Sequence, residues 1–352
     1  MSKNHKNHMN KKMQESESEQ IDPETTSETE QVRSGAGAPD YLLPASVLIS
    51  ALILAGAWVY TTGIKATNQQ AASIAASAEK TKGSEREEMV VPSGGVVLPI
   101  TWNDLGAKLV SSGVIDADKF KAIYDQRGAF TDEYRNLLLG QNDGKLKITN
   151  ENAGYLLNLF WALGLANKNE ILETGEMTNP AYGGAQNFAS TGGWTIAKGD
   201  PMSHYSMHRF FTLTPEQQAR VDKVSRGIYR PCCGNSVHFP DCNHGMAMLG
   251  LLELMASQGV SEPDMWKTAL VVNSYWFPDT YLTIAAYMKH KGVDWNNVDP
   301  REVLGVNYSS AQGYANVASR VIEPQQQRGG NGCGVDAGTT AAPQRQPGGC
   351  GV

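Results

Sequence analysis

The chain has 352 residues, a formal net charge of -6 and 41% hydrophobic residues. So mild an acidity offers no basic face, and no nucleic-acid partner is expected. Five cysteines are too few to staple a chain of this size, and their odd number leaves at least one outside any intramolecular disulfide.

Residues 1–40 read as a disordered polar tail. The stretch 13–31 holds Glu, Ser, Thr and Gln with almost no apolar side chains. It buries too little surface to offset its ordering entropy. Residues 41–62 then read as a single transmembrane anchor. The run LLPASVLISALILAGAWVY, from Leu42 to Tyr60, carries no charge. At about 1.5 Å per residue it nearly spans a hydrocarbon core of about 30 Å. Pro44 falls in the first turn, and Tyr41, Trp58 and Tyr60 stand at the ends, where aromatic rings prefer the interface. The long polar stretch ahead of the run favours an uncleaved anchor over a signal peptide. Lys3, Lys6, Lys11 and Lys12 favour a cytoplasmic N-terminus. The expected place is therefore the cell membrane, single-pass, with the lipid bilayer as partner and the C-terminal domain outside.

Residues 63–95 read as a stalk, punctuated by Pro92 to Gly95. Residues 96–323, about 230 in all, are enough for one large domain or two small ones and read as a mainly α-helical globular domain with long Gly-rich loops. Asn103 or Asp104, Asp116 and Thr131 start three short helices that stop near Gly113, Gly128 and Gly140. GQNDGKLKITNE, 140–151, has too few carboxylates for a calcium loop and reads as a connection between helices. Thr149 to Leu165 is apolar at helical spacing, as a central core helix should be. A loop follows over 167–199, long enough to hold a site. Asp200 with Pro201 starts a helix carrying His204 and His208. Thr214, Pro215 and Gln217 start another, and Ser261 with Asp264 resembles a capping box. SEPDMWKTALVVNSYWF, 261–277, and a further helix that ends before Gly292 read as two buried helices. His290, near that end between Lys289 and Lys291, reads as a solvated cation.

The chemistry concentrates in YRPCCGNSVHFPDCNHGMAMLGLLELM. Asp241 or Asn243 caps a helix through Met246 to Met255, which places Cys242 and His244 at its N-terminus. Exposed amide N–H groups and the helix dipole there favour a thiolate. Pro231, Gly234 and Pro240 fold the preceding segment into a loop that turns Cys232 or Cys233 towards Cys242. Thiolate and imidazole are the side chains that hold Cu and Zn best, so Cys232, Cys233, Cys242 and His244 are read as ligands of a transition metal ion, copper or zinc. His204 and His208, at i, i+4, would present both rings on one helical face and join the set. Met202, Met207, Met246 and Met248 stand beside these ligands, and thioethers would tilt the choice towards Cu(I). His238 is read as either a ligand or a surface loop residue.

Residues 324–352 read as a disordered tail in which GCGV occurs twice, around Cys333 and Cys350. Flanking glycines leave each thiol on a flexible arm able to reach its own domain. No Walker, Rossmann or nucleophile-elbow motif is present. The expected function is metal handling or sensing through the Cys/His cluster, with a metal or electron donor protein as partner. Two other readings stand beside it. One is a thiol–disulfide redox protein using Cys232 and Cys233 with the tail cysteines as shuttle. The other is a non-enzymatic anchored scaffold held by a structural disulfide.

Overall fold

The computed structural model describes residues 51–60, 65, 83–126, 128 and 130–321. The chain divides into two compact units, Met1–Ala72 and Ser73–Val352. In the first, residues 51–60 are helical, and Leu52, Ile53 and Leu54 are 71%, 66% and 70% exposed. The remainder of the expected anchor lies outside the described residues, as do both polar tails with Cys333 and Cys350. Among the described residues no helix is long and apolar enough to cross a membrane.

The second unit is mainly helical, as its periodicity requires, but it opens on a sheet that the sequence reading lacked. A helical segment at 83–90 leads into β1 (Val96–Asn103), which pairs antiparallel with β2 (Asn142–Ile148), Val96 opposite Ile148 and Asn103 opposite Asn142. Leu98, Ile100 and Trp102 alternate into the core, the two-residue period of a half-buried strand. The segment 140–151 is therefore largely strand rather than a connection between helices. Its Asn, Asp, Gly and Lys are poor strand formers. Pairing with β1 and the burial of Leu146 and Ile148 override that preference.

Between the strands lie α1 (Leu105–Ser111), α2 (Ala117–Asp125) and α3 (Asp132–Leu139). The Asp116 carboxylate accepts from the Asp118 and Lys119 amides, and the Thr131 hydroxyl accepts from the Tyr134 amide, so two of the expected caps are in place. After β2 come α4 (Ala153–Ala166), α5 (Glu170–Thr174), α6 (Pro215–Gly227), α7 (Asn243–Ser257), α8 (Glu262–Trp276) and α9 (Pro278–His290). Three short helices, α10 (Pro300–Leu304), α11 (Val306–Ser309) and α12 (Ala311–Ala318), close the unit. Thr214 and Gln217 form a full capping box on α6, and Ser261 caps α8.

The core is the pair α4 and α7. Both are apolar on nearly every face and buried along nearly their whole length, so each must be covered on all sides. They cross at Gly164 and Gly250. A Cβ on Gly164 would strike the Met246 carbonyl oxygen, and one on Gly250 would strike the Phe160 carbonyl oxygen. Two glycines thus let the backbones meet more closely than any side chain permits. Met246 and Met248 are fully buried in this core, which is the commoner use of methionine. The crossing anchors the first turns of α7, where the cysteine cluster begins.

Candidate metal centre

The loop before α7 is held by its own backbone. Tyr229 and Ser236 form an isolated antiparallel bridge, and the Val237 amide donates to the Ile228 carbonyl at 2.8 Å. Outside partners fix the same loop. The Tyr229 amide donates to the Leu304 carbonyl at 2.8 Å, and the Ala311 amide donates to the Cys233 carbonyl at 2.9 Å. The loop is therefore tied to α10 and α12, and it turns Cys232 and Cys233 onto the start of α7.

Cys242 itself is the N-cap of α7, in place of the expected Asp241 or Asn243. Its backbone is extended and its Sγ accepts the Gly245 amide at 3.4 Å. Cys232 Sγ lies 3.2 Å from Cys233 Sγ and 3.6 Å from Cys242 Sγ. No disulfide joins these three cysteines. One ligand atom each from Cys232, Cys242 and His244 lies within 4.8 Å of the other two, and Cys233, Asp241 and Cys242 form a second such group. The His244 ring hydrogen-bonds Cys242 and packs on Phe277 at 4.4 Å between centroids. Its Nδ1 is buried with no hydrogen-bond partner. A buried nitrogen left without a partner costs free energy.

Beneath the sulfurs lies Arg230, fully buried, which the sequence reading missed. Its Nη2 donates to Asp241 Oδ1 at 2.7 Å and approaches Cys242 Sγ at 3.5 Å, while Nη1 donates to the Asn235 carbonyl at 3.0 Å. Burial alone would lower its pKa, but Cys242, Cys233, Asp241 and Cys232 around it outweigh burial and keep it charged. Gly245 makes room for it, since a Cβ there would lie 2.8 Å from the guanidinium carbon. Its signal in sequence was slight, a lone cation two residues before the cysteine pair.

Charge then distributes unevenly. The Cys232 hydrogen bond lowers the Cys242 pKa first, Cys233 and burial oppose it, and Arg230 and His244 add to the lowering. The net direction is down, which favours the ionised form of Cys242 over that of an ordinary thiol. Burial pushes the Asp241 carboxyl up, with Arg230 pulling the other way.

His204 and His208 meet each other, but by a different route from the one expected. The helix after Asp200 is one 3-10 turn, Pro201–Ser203, and Ser206 takes a left-handed φ of 54°. That turn carries His208 back to an isolated bridge with Asn167. His204 Nδ1 and His208 Nε2 stand 3.0 Å apart, and His204 Nε2 faces the Lys198 carbonyl at 3.3 Å. Burial and then His204 lower the His208 pKa. Neither ring belongs to a group of three metal-donor atoms among the described residues.

His238 is not at the surface either. Its Nδ1 lies 2.9 Å from Glu176 Oε2 and its Nε2 2.8 Å from Asp222 Oδ1, so both nitrogens face carboxylates. Beside it runs a groove whose lining includes Asn169, Glu173, Arg209, Gln218 and Asp222, partly from the long loop. No family model, curated protein or solved structure matches the chain.

Proposed function

We propose that the protein is a membrane-anchored transition-metal-binding protein, which handles or senses copper or zinc through Cys232, Cys242 and His244, with Cys233 beside them. The observation that carries this reading is the convergence of two thiols and one imidazole within 4.8 Å. The donor set fits the ion. Zn–S bonds of about 2.3 Å in a tetrahedron put sulfurs about 3.8 Å apart, and Cys232 Sγ and Cys242 Sγ stand at 3.6 Å. Two thiolates offset the charge of a divalent ion, and an imidazole completes a soft set suited to Zn(II) or Cu(I). His204 and His208 fall outside the ligand set proposed here. The charge-free run Leu42–Tyr60 supports the anchor, and the N-terminal lysines support a cytoplasmic N-terminus with the domain outside.

Elemental mass spectrometry on the full-length chain tests the metal, with protein purified reduced, in detergent and without a His-tag. About one Cu or Zn per chain is expected, lost in Cys232→Ser and in His244→Ala. Metal in neither the parent nor the variants removes the reading. Alkaline extraction of membranes tests the anchor, since release of the chain into the soluble fraction contradicts it. The close approach of Cys232 and Cys233 favours a second reading, a thiol–disulfide redox protein. Loss of two thiols on mild oxidation, in a protein that binds no metal, would select it.

A further inference from the structure

Three thiols, rather than two, converge at this site. Cys232 Sγ is 3.2 Å from Cys233 Sγ and 3.6 Å from Cys242 Sγ, and the Cys233 and Cys242 sulfurs lie within 4.8 Å of each other. A tetrahedral ion with M–S bonds of about 2.3 Å spaces its sulfurs about 3.8 Å apart. The Cys232–Cys233 edge is well short of that. An ion that carries a lone pair and makes three pyramidal bonds has narrower S–M–S angles and takes shorter edges.

We propose that Cys232, Cys233 and Cys242 together capture a trivalent thiophilic hydroxide of the arsenite and antimonite class. The proposal rests on the thiol-cluster reading above and adds a ligand that His244 does not help to hold.

The exchange balances without a redox partner. Three As–O bonds of As(OH)3 and three S–H bonds break. Three As–S bonds form, and each thiol proton leaves on a hydroxide as water. Both the ligand and the tris-thiolate product are neutral. That matters here, because Arg230 and Asp241 already pair at 2.7 Å in a buried position. A divalent ion on three thiolates would add one net negative charge beside them, and buried charge is costly unless paired. Half-exposed Cys232 offers the way in, with Cys233 and Cys242 buried behind it.

The test uses the full-length reduced chain titrated with arsenite and read by intact mass and thiol count. One arsenic per chain with the loss of three thiols is expected. Cys233→Ser should weaken arsenite binding about a hundredfold or more, the gain that an intramolecular third bond brings. His244→Ala should lose Zn or Cu and keep arsenite. Loss of only two thiols, or arsenite binding in Cys233→Ser equal to the parent, overturns the proposal. If Cys233→Ser does not fold, the parent chain decides alone. Phenylarsine oxide, which forms two As–S bonds, should consume two thiols where arsenite consumes three, and equal consumption of two refutes the third bond. Arsenite binding in a chain that takes up neither Zn nor Cu supports the proposal and removes the transition-metal reading.

Discussion

Replacing Arg230 with Met tests how the site is held together. The guanidinium is fully buried, donates to Asp241 Oδ1 at 2.7 Å and to the Asn235 carbonyl at 3.0 Å, and stands 3.5 Å from Cys242 Sγ. Two hydrogen bonds from a charged donor are worth about 1.5–3 kcal/mol each. Removing one member of a buried ion pair costs about 3–5 kcal/mol. Asp241 has some relief available, because burial already raises its pKa and it can take up a proton once Arg230 is gone. The expected loss is therefore near the lower end, about 3 kcal/mol. With a urea slope of about 1–3 kcal/mol per molar, the unfolding midpoint falls by roughly 1–3 M. The same substitution removes a positive neighbour from Cys242, so the thiol titration followed by thiolate absorbance moves to higher pH. Arg230→Met with Asp241→Leu should recover part of the stability, because no charge is then left buried alone. A loss under about 1 kcal/mol with an unmoved thiol titration would show that Arg230 neither braces the loop nor sets the thiolate.

Two further outcomes follow from the core. Gly164→Ala drives a methyl group into the Met246 carbonyl and should cost about 1–3 kcal/mol in urea unfolding. Gly154→Ala, at the exposed position in the first turn of the same helix with open space around it, should gain about 0.5–1 kcal/mol, and equal effects at the two sites would refute the crossing argument. Glu253 is buried in α7 and accepts from Asn167 Nδ2 at 2.7 Å, and burial holds its carboxyl well above the ordinary 4.5. Above that ordinary value the unfolded chain has released a proton that the folded chain keeps, so stability falls as pH rises until the raised pKa is passed. The slope for one proton is about 1.4 kcal/mol per pH unit. Glu253→Gln should flatten it, and parallel urea midpoints across about pH 5 to 7 in both proteins would contradict a neutral buried Glu253.

Local chemistry was legible along most of the chain. Asp116, Thr131, Thr214 and Ser261 announce helix starts because a capping side chain bonds an amide two or three residues away, a distance contained in the sequence. The convergence of Cys232, Cys242 and His244 was legible for the same reason, since one short loop and one helix start hold all three. Elements that depend on distant partners were not legible. β2 is a strand because β1 offers it a ladder and an apolar face, against its own polar composition. His204 and His208 pair through a left-handed turn at Ser206 and a bridge to Asn167, where i, i+4 spacing had implied a helix face. Arg230 gave almost no warning, because a single cation in a loop shows its role only when Asp241, Asn235 and three sulfurs surround it. Periodicity and capping act over a few residues and are written in order along the chain. Burial, ladder pairing and the balance of charge in a closed site are sums over groups that folding alone brings together, and those sums decide how the buried Arg230 and Cys242 titrate.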